Sequence, residues 1–195
     1  MSNGNNPKPK QPKKFFSHLV KEVLEFAQSN FMPKTYELYN LTSKKLIDIL
    51  GDREIHLYFT KDFETYKNIR VLNVSKTTAN IEIRTIRAMF NYAVRMGYLD
   101  VNPTEYVKQF SIPQKEKLSF SDVEVKKFLG LIDDNYFKDL IIFGQLTGCR
   151  LNEILNIQIR DIDFQEMILA IKNKPDFKIK TGKIRYIPII LKLRI

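Results

Sequence analysis

The run Thr147-Gly148-Cys149-Arg150-Leu151-Asn152-Glu153-Ile154-Leu155 sets an arginine just after a glycine turn and a carboxylate three residues beyond it. A guanidinium suits phosphodiester chemistry, because its planar fork can bridge two non-bridging oxygens and it stays charged at any relevant pH. It stabilises the charge that builds on a pentacoordinate phosphorus best when it is held rigidly. The spacing supplies such a hold. Thr147-Gly148 turns the chain out of an apolar helix, Arg150 opens the next one, and Glu153 falls on the same helical face, where it can orient its neighbours. Leu151, Ile154 and Leu155 are expected to anchor the short helix in a core. On spacing alone, Arg150 could equally be a structural arginine paired with Glu153.

The segments that follow narrow the choice. Ile159-Arg160-Asp161-Ile162-Asp163 carries two aspartates. Met167 to Ile171 and Ile184 to Ile190 are short β-branched runs joined by a lysine-rich connection containing Gly182, which reads as a β-hairpin with a long basic loop. Loop and second strand run Lys180-Thr181-Gly182-Lys183-Ile184-Arg185-Tyr186-Ile187-Pro188-Ile189. Pro188 cannot donate to a ladder, so it fits only an edge or a bulge.

The arginine box and this hairpin, in this order and at this separation, resemble the tyrosine recombinases, the phage-integrase and Xer type of site-specific recombinase. The resemblance implies that Arg150 binds the scissile phosphate and that Lys180 protonates the departing 5′ oxygen as general acid. Lys178 rivals Lys180 for that role, since hairpin loops vary in length. Glu153 would support the arginine, Lys183 and Arg185 would meet the DNA backbone or stay solvated, and Cys149 would be a small filler. The implied partner is duplex DNA at a recombination site, with a tetrameric synapse on two duplexes in the intact family. The implied chemistry is strand exchange through a 3′-phosphotyrosyl intermediate, with no cofactor, metal or small-molecule substrate.

The chain departs from that family after the hairpin. A complete member carries a His-x-x-Arg box and a late tyrosine nucleophile, whereas this sequence has no histidine after His56 and only Tyr186 as a tyrosine after Arg150. Tyr186 lies inside the expected second strand and is a poor nucleophile. The expectation is a fragment of a longer integrase or a DNA-binding remnant, either of which binds DNA without cleaving it; the alternative is an all-α regulator or scaffold whose resemblance is accidental. Half a catalytic domain would also expose apolar surface.

The elements upstream read as helices. Residues 1–14 are polar and proline-punctuated, and are expected to be a disordered basic tail. Phe16, Leu19, Val20, Val23, Leu24 and Phe26 mark one apolar face. Pro33 opens a second helix with Tyr36, Tyr39, Leu46, Ile47 and Leu50 inward and Gly51 at its end. Thr60 is expected to cap a third, bearing Phe63 and Tyr66. In a fourth, from Lys76 to Met96, Ile83, Ile86, Met89, Phe90 and Ala93 share one side. Arg84, Arg87, Asn91 and Arg95 share the other, a stripe that could grip a phosphate backbone or stand as a solvated face.

The fold expected is mainly α. Residues 15–110 resemble the family's all-α, SAM-like core-binding domain, a linker spans 111–118, and 119–195 form the first part of a mixed α/β catalytic domain. Ser121 and Glu124 form a capping box there, Val125, Phe128, Leu129 and Ile132 supply a buried face, and Leu140 to Phe143 make a central helix. The net charge of +10 is concentrated at the two ends, five lysines and no acid in residues 1–21 and eight basic residues against Asp176 in residues 172–195. That distribution fits a polyanion partner. One cysteine excludes an internal disulfide and suits a reducing cytoplasm. His18 and His56 lie too far apart in sequence to suggest a metal site, and no apolar run reaches membrane-span length.

Overall fold

Apolar spacing and end signals shape the first four helices. In the computed structural model, which describes residues 13–114, 118–180 and 182–189, these are α1 (Phe16–Asn30), α2 (Pro33–Leu50), α3 (Thr60–Val71) and α4 (Lys76–Arg95). Pro33 sits in the first turn of α2, and Gly51 closes it with φ 78°. Three further helices follow: α5 (Asp122–Gly130), α6 (Asn135–Thr147) and α7 (Leu151–Ile154). Two 3-10 turns (Ile55–Leu57 and Ile159–Asp161) and the strands β1 (Ile162–Asp163), β2 (Ile168–Ile171) and β3 (Arg185–Pro188) complete the described elements. The chain divides into two compact units at Lys115/Glu116.

Unit 1 is built on an aromatic core. Phe90 of α4 stacks on Phe16 of α1 at 5.7 Å and meets Phe63 of α3 edge-on at 5.1 Å. Leu19, Val23, Leu46, Ile83, Ile86, Met89 and Ala93 close around them, all buried. Leu24, Tyr39, Ile47 and Leu50 are only partly buried. Leu46 is buried as expected, and the other deep α2 positions belong to Thr42 and Ser43, the Ser43 hydroxyl donating back to the Asn40 carbonyl. A small side chain such as Ser43, its hydroxyl satisfied within its own helix, allows close packing.

Two expectations shift at the edges of this unit. Thr60 does not cap α3. Its hydroxyl donates to the Pro103 carbonyl, and the Asp62 carboxylate instead accepts the Phe59 N–H at the helix start. Residues 1–12 of the expected tail lie outside the described residues. Lys14 is built into the fold: its ammonium bonds Glu22 at 2.5 Å and lies 3.6 Å from the centre of the Tyr98 ring.

Side-chain amides pin the closing segment that follows Gly97. Asn80 pairs with the Phe110 backbone in both directions, at 2.9 and 2.8 Å. Asn102 accepts from Thr104 and donates to the Arg87 carbonyl and to Asn91. Such bonds answer backbone groups that no ladder satisfies. Beneath them Glu82 of α4, almost wholly buried, accepts both Nε and Nη2 of Arg70 at 2.7 and 2.8 Å and the Tyr66 hydroxyl at 3.0 Å. Burial, reinforced by the Glu82 charge, pushes the Tyr66 phenol far above its usual range, so it serves as a donor.

Unit 2 is thinner. Ser121 and Glu124 form the capping box as the sequence reads, and the Asp134 carboxylate caps α6 through the Phe137 N–H. The sheet has the order β1-β2-β3 and is antiparallel throughout. Its hairpin is the expected one with shorter strands, whereas β1, two residues long, carries too little pattern to read. Pro188 pairs with Ile168 on the edge strand β3, where a missing N–H is tolerated. Leu169, Ile171 and Ile179 form the buried centre, with Phe143, Cys149, Ile157 and Ile187 around it.

The expected central helix is not central. Leu140 to Phe143 are only partly buried, and no residue of α5 or α6 is fully covered. Phe128, expected inside, is half exposed, while Leu118, Phe120, Val123, Leu131, Tyr136 and Ile159 are largely so. Among the described residues α6 packs mainly on α7 and, through Phe143, on the sheet cluster, so most of its apolar circumference stays open. No described helix is long and apolar enough to cross a membrane.

The Glu82 network gives the first prediction. Glu82→Ala leaves the Arg70 guanidinium and the Tyr66 hydroxyl buried without their acceptor, and should destabilise unit 1 by about 3 kcal/mol. Urea unfolding followed by unit 1 amide signals measures it. A loss below about 1 kcal/mol would mean that the network contributes little.

Candidate functional site

The arginine turn is assembled from local constraints. The Thr147 hydroxyl donates to the Phe143 carbonyl at 2.7 Å and accepts the Cys149 N–H at 3.3 Å, closing the end of α6. Gly148 caps that helix with φ 62°. A Cβ there would meet no neighbour within 4 Å, so conformation and not space calls for glycine. Gly144 serves packing instead: a Cβ on it would stand 3.2 Å from Cδ1 of Ile154, where α7 leans on α6. Cys149 packs against the sheet cluster as a filler.

Arg150 is the N-cap residue of α7 in extended geometry, and Glu153 folds back on it. The Arg150 backbone N–H donates to Oε2 of Glu153 at 2.8 Å, and Arg150 Nη1 donates to Oε1 at 3.0 Å. A third donor comes from the sheet: Arg185 Nη2 reaches Glu153 Oε2 at 2.5 Å. The Glu153 side chain is 3% exposed and that of Arg150 54% exposed. Burial alone would raise the Glu153 carboxyl. The Arg150 N–H and guanidinium, with the Arg185 charge, outweigh it and hold the group below the usual carboxylate range.

Leu151 and Leu155, expected in the core, are 57% and 55% exposed. Ile154 is partly buried and Glu153 takes the inward position. A four-residue helix has one inward face, and the ion cluster occupies it.

The loop between β2 and β3 is tethered at its base. Lys174 bonds the buried Asp161 carboxylate and the Asn156 carbonyl, and Lys172 stands 3.4 Å from Asp161. Burial raises the Asp161 carboxyl, but Lys174 and the Gln158 N–H bring it below its usual range. Asn173 accepts the Ile179 N–H at 2.8 Å, and Ile179 inserts into the apolar cluster that also holds Cys149. Arg150 and Lys180 are therefore each one residue from a side chain of the same cluster. Lys178, Lys180 and Lys183 are all exposed, the first two flanking Ile179. Tyr186 is 70% exposed and lies opposite Ala170 within the ladder.

In unit 1 the arginine stripe divides. Arg84 is exposed and has no ion-pair partner among the described residues. Arg95 is exposed too, its guanidinium 5.2 Å from the Phe26 and Tyr92 ring centres. Arg87 donates Nη2 to the Thr104 and Val107 carbonyls, and Asn91 accepts from Asn102. These two hold the closing segment. Arg185, which the sequence assigns to a backbone contact or to solvent, has a partner that the sequence pattern does not reveal. Only the strand register, which sets it opposite Ile171, brings it to Glu153.

Comparison with known proteins places this architecture. A model of the phage integrase SAM-like domain matches residues 15–110. The XerC-like tyrosine recombinase of Caldanaerobacter subterraneus subsp. tengcongensis is 31% identical over 146 residues, 71% of this chain and 34% of that protein. The ICEBs1 integrase of Bacillus subtilis is 31% identical over 152 residues, 76% of this chain and 41% of the relative. The chain belongs to the tyrosine recombinase family. Among solved structures, the Tn1549 transposon integrase in complex with a circular intermediate DNA superposes with a TM-score of 0.73 at 19% identity. That match covers 90% of this chain and 61% of the integrase. The lambda integrase tetramer bound to a Holliday junction gives 0.74 at 17% identity, over 98% and 58%. At these identities the likeness establishes the fold: a SAM-like helical domain and the start of an integrase catalytic domain. The chain thus spans 34% and 41% of the length of these two relatives.

Lowered carboxyl pKa values make unit 2 acid-sensitive. A carboxylate depressed in the folded state contributes stability that is complete above its unfolded pKa and is lost as pH falls through the folded value. For Glu153 and Asp161 the loss begins below roughly pH 4.5, the ordinary carboxylate range. Amide exchange of unit 2 as a function of pH should show stability falling there, with a shallower slope in Glu153→Gln. An unchanged slope would remove Glu153 from the account.

Proposed function

We propose that this chain binds duplex DNA through phosphates and that Arg150 is its ligand for the phosphate at a strand-exchange site. One observation carries the reading: the Arg150 guanidinium is fixed by a buried carboxylate on one side and is open on the other. A guanidinium so held suits the non-bridging oxygens of a phosphodiester, because donors fixed beforehand need no reorganisation when charge develops. The named relatives are a recombinase and an integrase, and the two solved structures named above hold DNA or a Holliday junction, which supports the same reading.

In an intact site Lys180, with Lys178 as its rival, would deliver a proton to the departing 5′ oxygen. A tyrosine would form the 3′-phosphotyrosyl link, and four protomers would assemble on two duplexes. Arg84 and Arg95, exposed on α4, would contact the backbone from unit 1, with Lys183 doing so from the loop. Arg87 and Asn91 would act by holding the segment beside them. The setting would be the reducing cytoplasm that a single cysteine suits. Tyr186 is a poor nucleophile, since its backbone is held in the ladder opposite Ala170. These 195 residues alone would therefore hold a phosphate and not attack it.

Electrophoretic shifts on duplex DNA across a salt series test the binding. Log affinity should fall linearly with log salt, and the Arg84→Ala/Arg95→Ala pair should reduce the slope by about 1.8, at roughly 0.9 per phosphate contact. A shift insensitive to salt, or none at all, would sink the proposal in favour of a scaffold. A nicked suicide substrate should yield no covalent adduct. An adduct lost in Tyr186→Phe would make Tyr186 the nucleophile, and one that persists would place it elsewhere.

A further inference from the structure

Glu153 is asked to serve three donors from two elements. Arg150 engages both its oxygens from the turn before α7, and Arg185 reaches Oε2 from β3. Charge decides what the third donor does. Arg150 and Glu153 alone would form a neutral pair closed on itself, in which a phosphate oxygen competes with the carboxylate for one guanidinium. With Arg185 present, two guanidinium charges face a single carboxylate, so the outward side of Arg150 keeps positive charge to offer an anion. Geometry works the same way. A carboxylate held from α7 and β3 at once cannot swing away, so the fork of Arg150 stays aimed.

We propose that Arg185 is a positioning residue for phosphate binding: through Glu153 it fixes the Arg150 guanidinium and keeps the pair electropositive. The proposal rests on the reading of Arg150 as a phosphate ligand. It has a structural corollary. Arg185 follows the loop that bears Lys180, so the strand leaving that loop and the arginine turn are joined through one carboxylate.

A double-mutant cycle on the full chain tests it, with a duplex of fixed arbitrary sequence as probe and the salt concentration held constant. Arg185→Met should weaken binding by about tenfold in the parent, but by less than about twofold where Arg150→Ala or Glu153→Gln is already present. Arg185→Lys should restore part of the loss, because it returns the charge without the planar fork. Without DNA, the Arg150 Nε–Hε resonance should move in Arg185→Met. A merely structural role would not give this background dependence. Equal losses in every background would show that Arg185 meets phosphate by itself, overturning the proposal while leaving Arg150 in place. If Arg150→Ala binds as the parent does, the phosphate-ligand reading fails, and the resonance alone decides the positioning: unmoved, it fails as well. Should Arg185→Met unfold unit 2, the cycle is run with Arg185→Gln and Arg185→Lys. Losses that stay the same across those backgrounds overturn the proposal, and losses that shrink when Arg150 or Glu153 is already changed support it.

Discussion

A carboxylate removed from water has to be answered by cations and N–H groups, and in this protein that requirement organises unit 2. Glu153 is buried, so its oxygens recruit the backbone at the start of α7, the side chain of Arg150 and a strand residue distant in sequence. Removing any one partner leaves charge stranded in a poorly solvated place, which costs more than forming the bond gains. The same logic recurs nearby at Asp161, answered by Lys174 and Lys172 at the base of the basic loop. In unit 1 it recurs at Glu82, answered by Arg70 and Tyr66. Each buried acid joins segments that the apolar contacts alone would leave less firmly registered.

Much of unit 1 was legible because its signals are local and repeated. The α4 stripe of Ile83, Ile86, Met89, Phe90 and Ala93 is buried as its spacing demands. Pro33 and Gly51 mark helix ends through backbone restrictions that no tertiary contact has to supply. What failed there depended on distant partners. Thr60 looks like a cap, but its hydroxyl is taken by Pro103, 43 residues on. In unit 2 the helical period is legible in the sequence and the burial is not. Leu140 to Phe143 are apolar all round, yet a helix is covered only on the sides where other elements arrive.

The site was legible in type more than in wiring. Arg150 and Glu153 share a helical turn, so their pairing follows from spacing. Arg185 joins them through a strand register set by the whole hairpin, and a sequence pattern carries no distance between a strand and a helix start. Arg87 and Asn91 show the opposite case. They lie on the polar side of α4 as read, but the turn packed beside them takes up their hydrogen-bonding groups. Arg84 and Arg95 on that same helix remain exposed.

The glycine before this cluster has a consequence for how the sequence can vary. Gly148 is held at φ 62° with open space where a side chain would begin. A bulkier residue would therefore be refused for backbone strain and not for crowding, and asparagine or aspartate would be the tolerated replacements. Its neighbour Cys149 faces the reverse condition: no left-handed backbone, and a partly buried side chain packed against the apolar cluster. Under random drift the two adjacent positions should accept nearly disjoint alphabets, one selected by torsion and the other by volume.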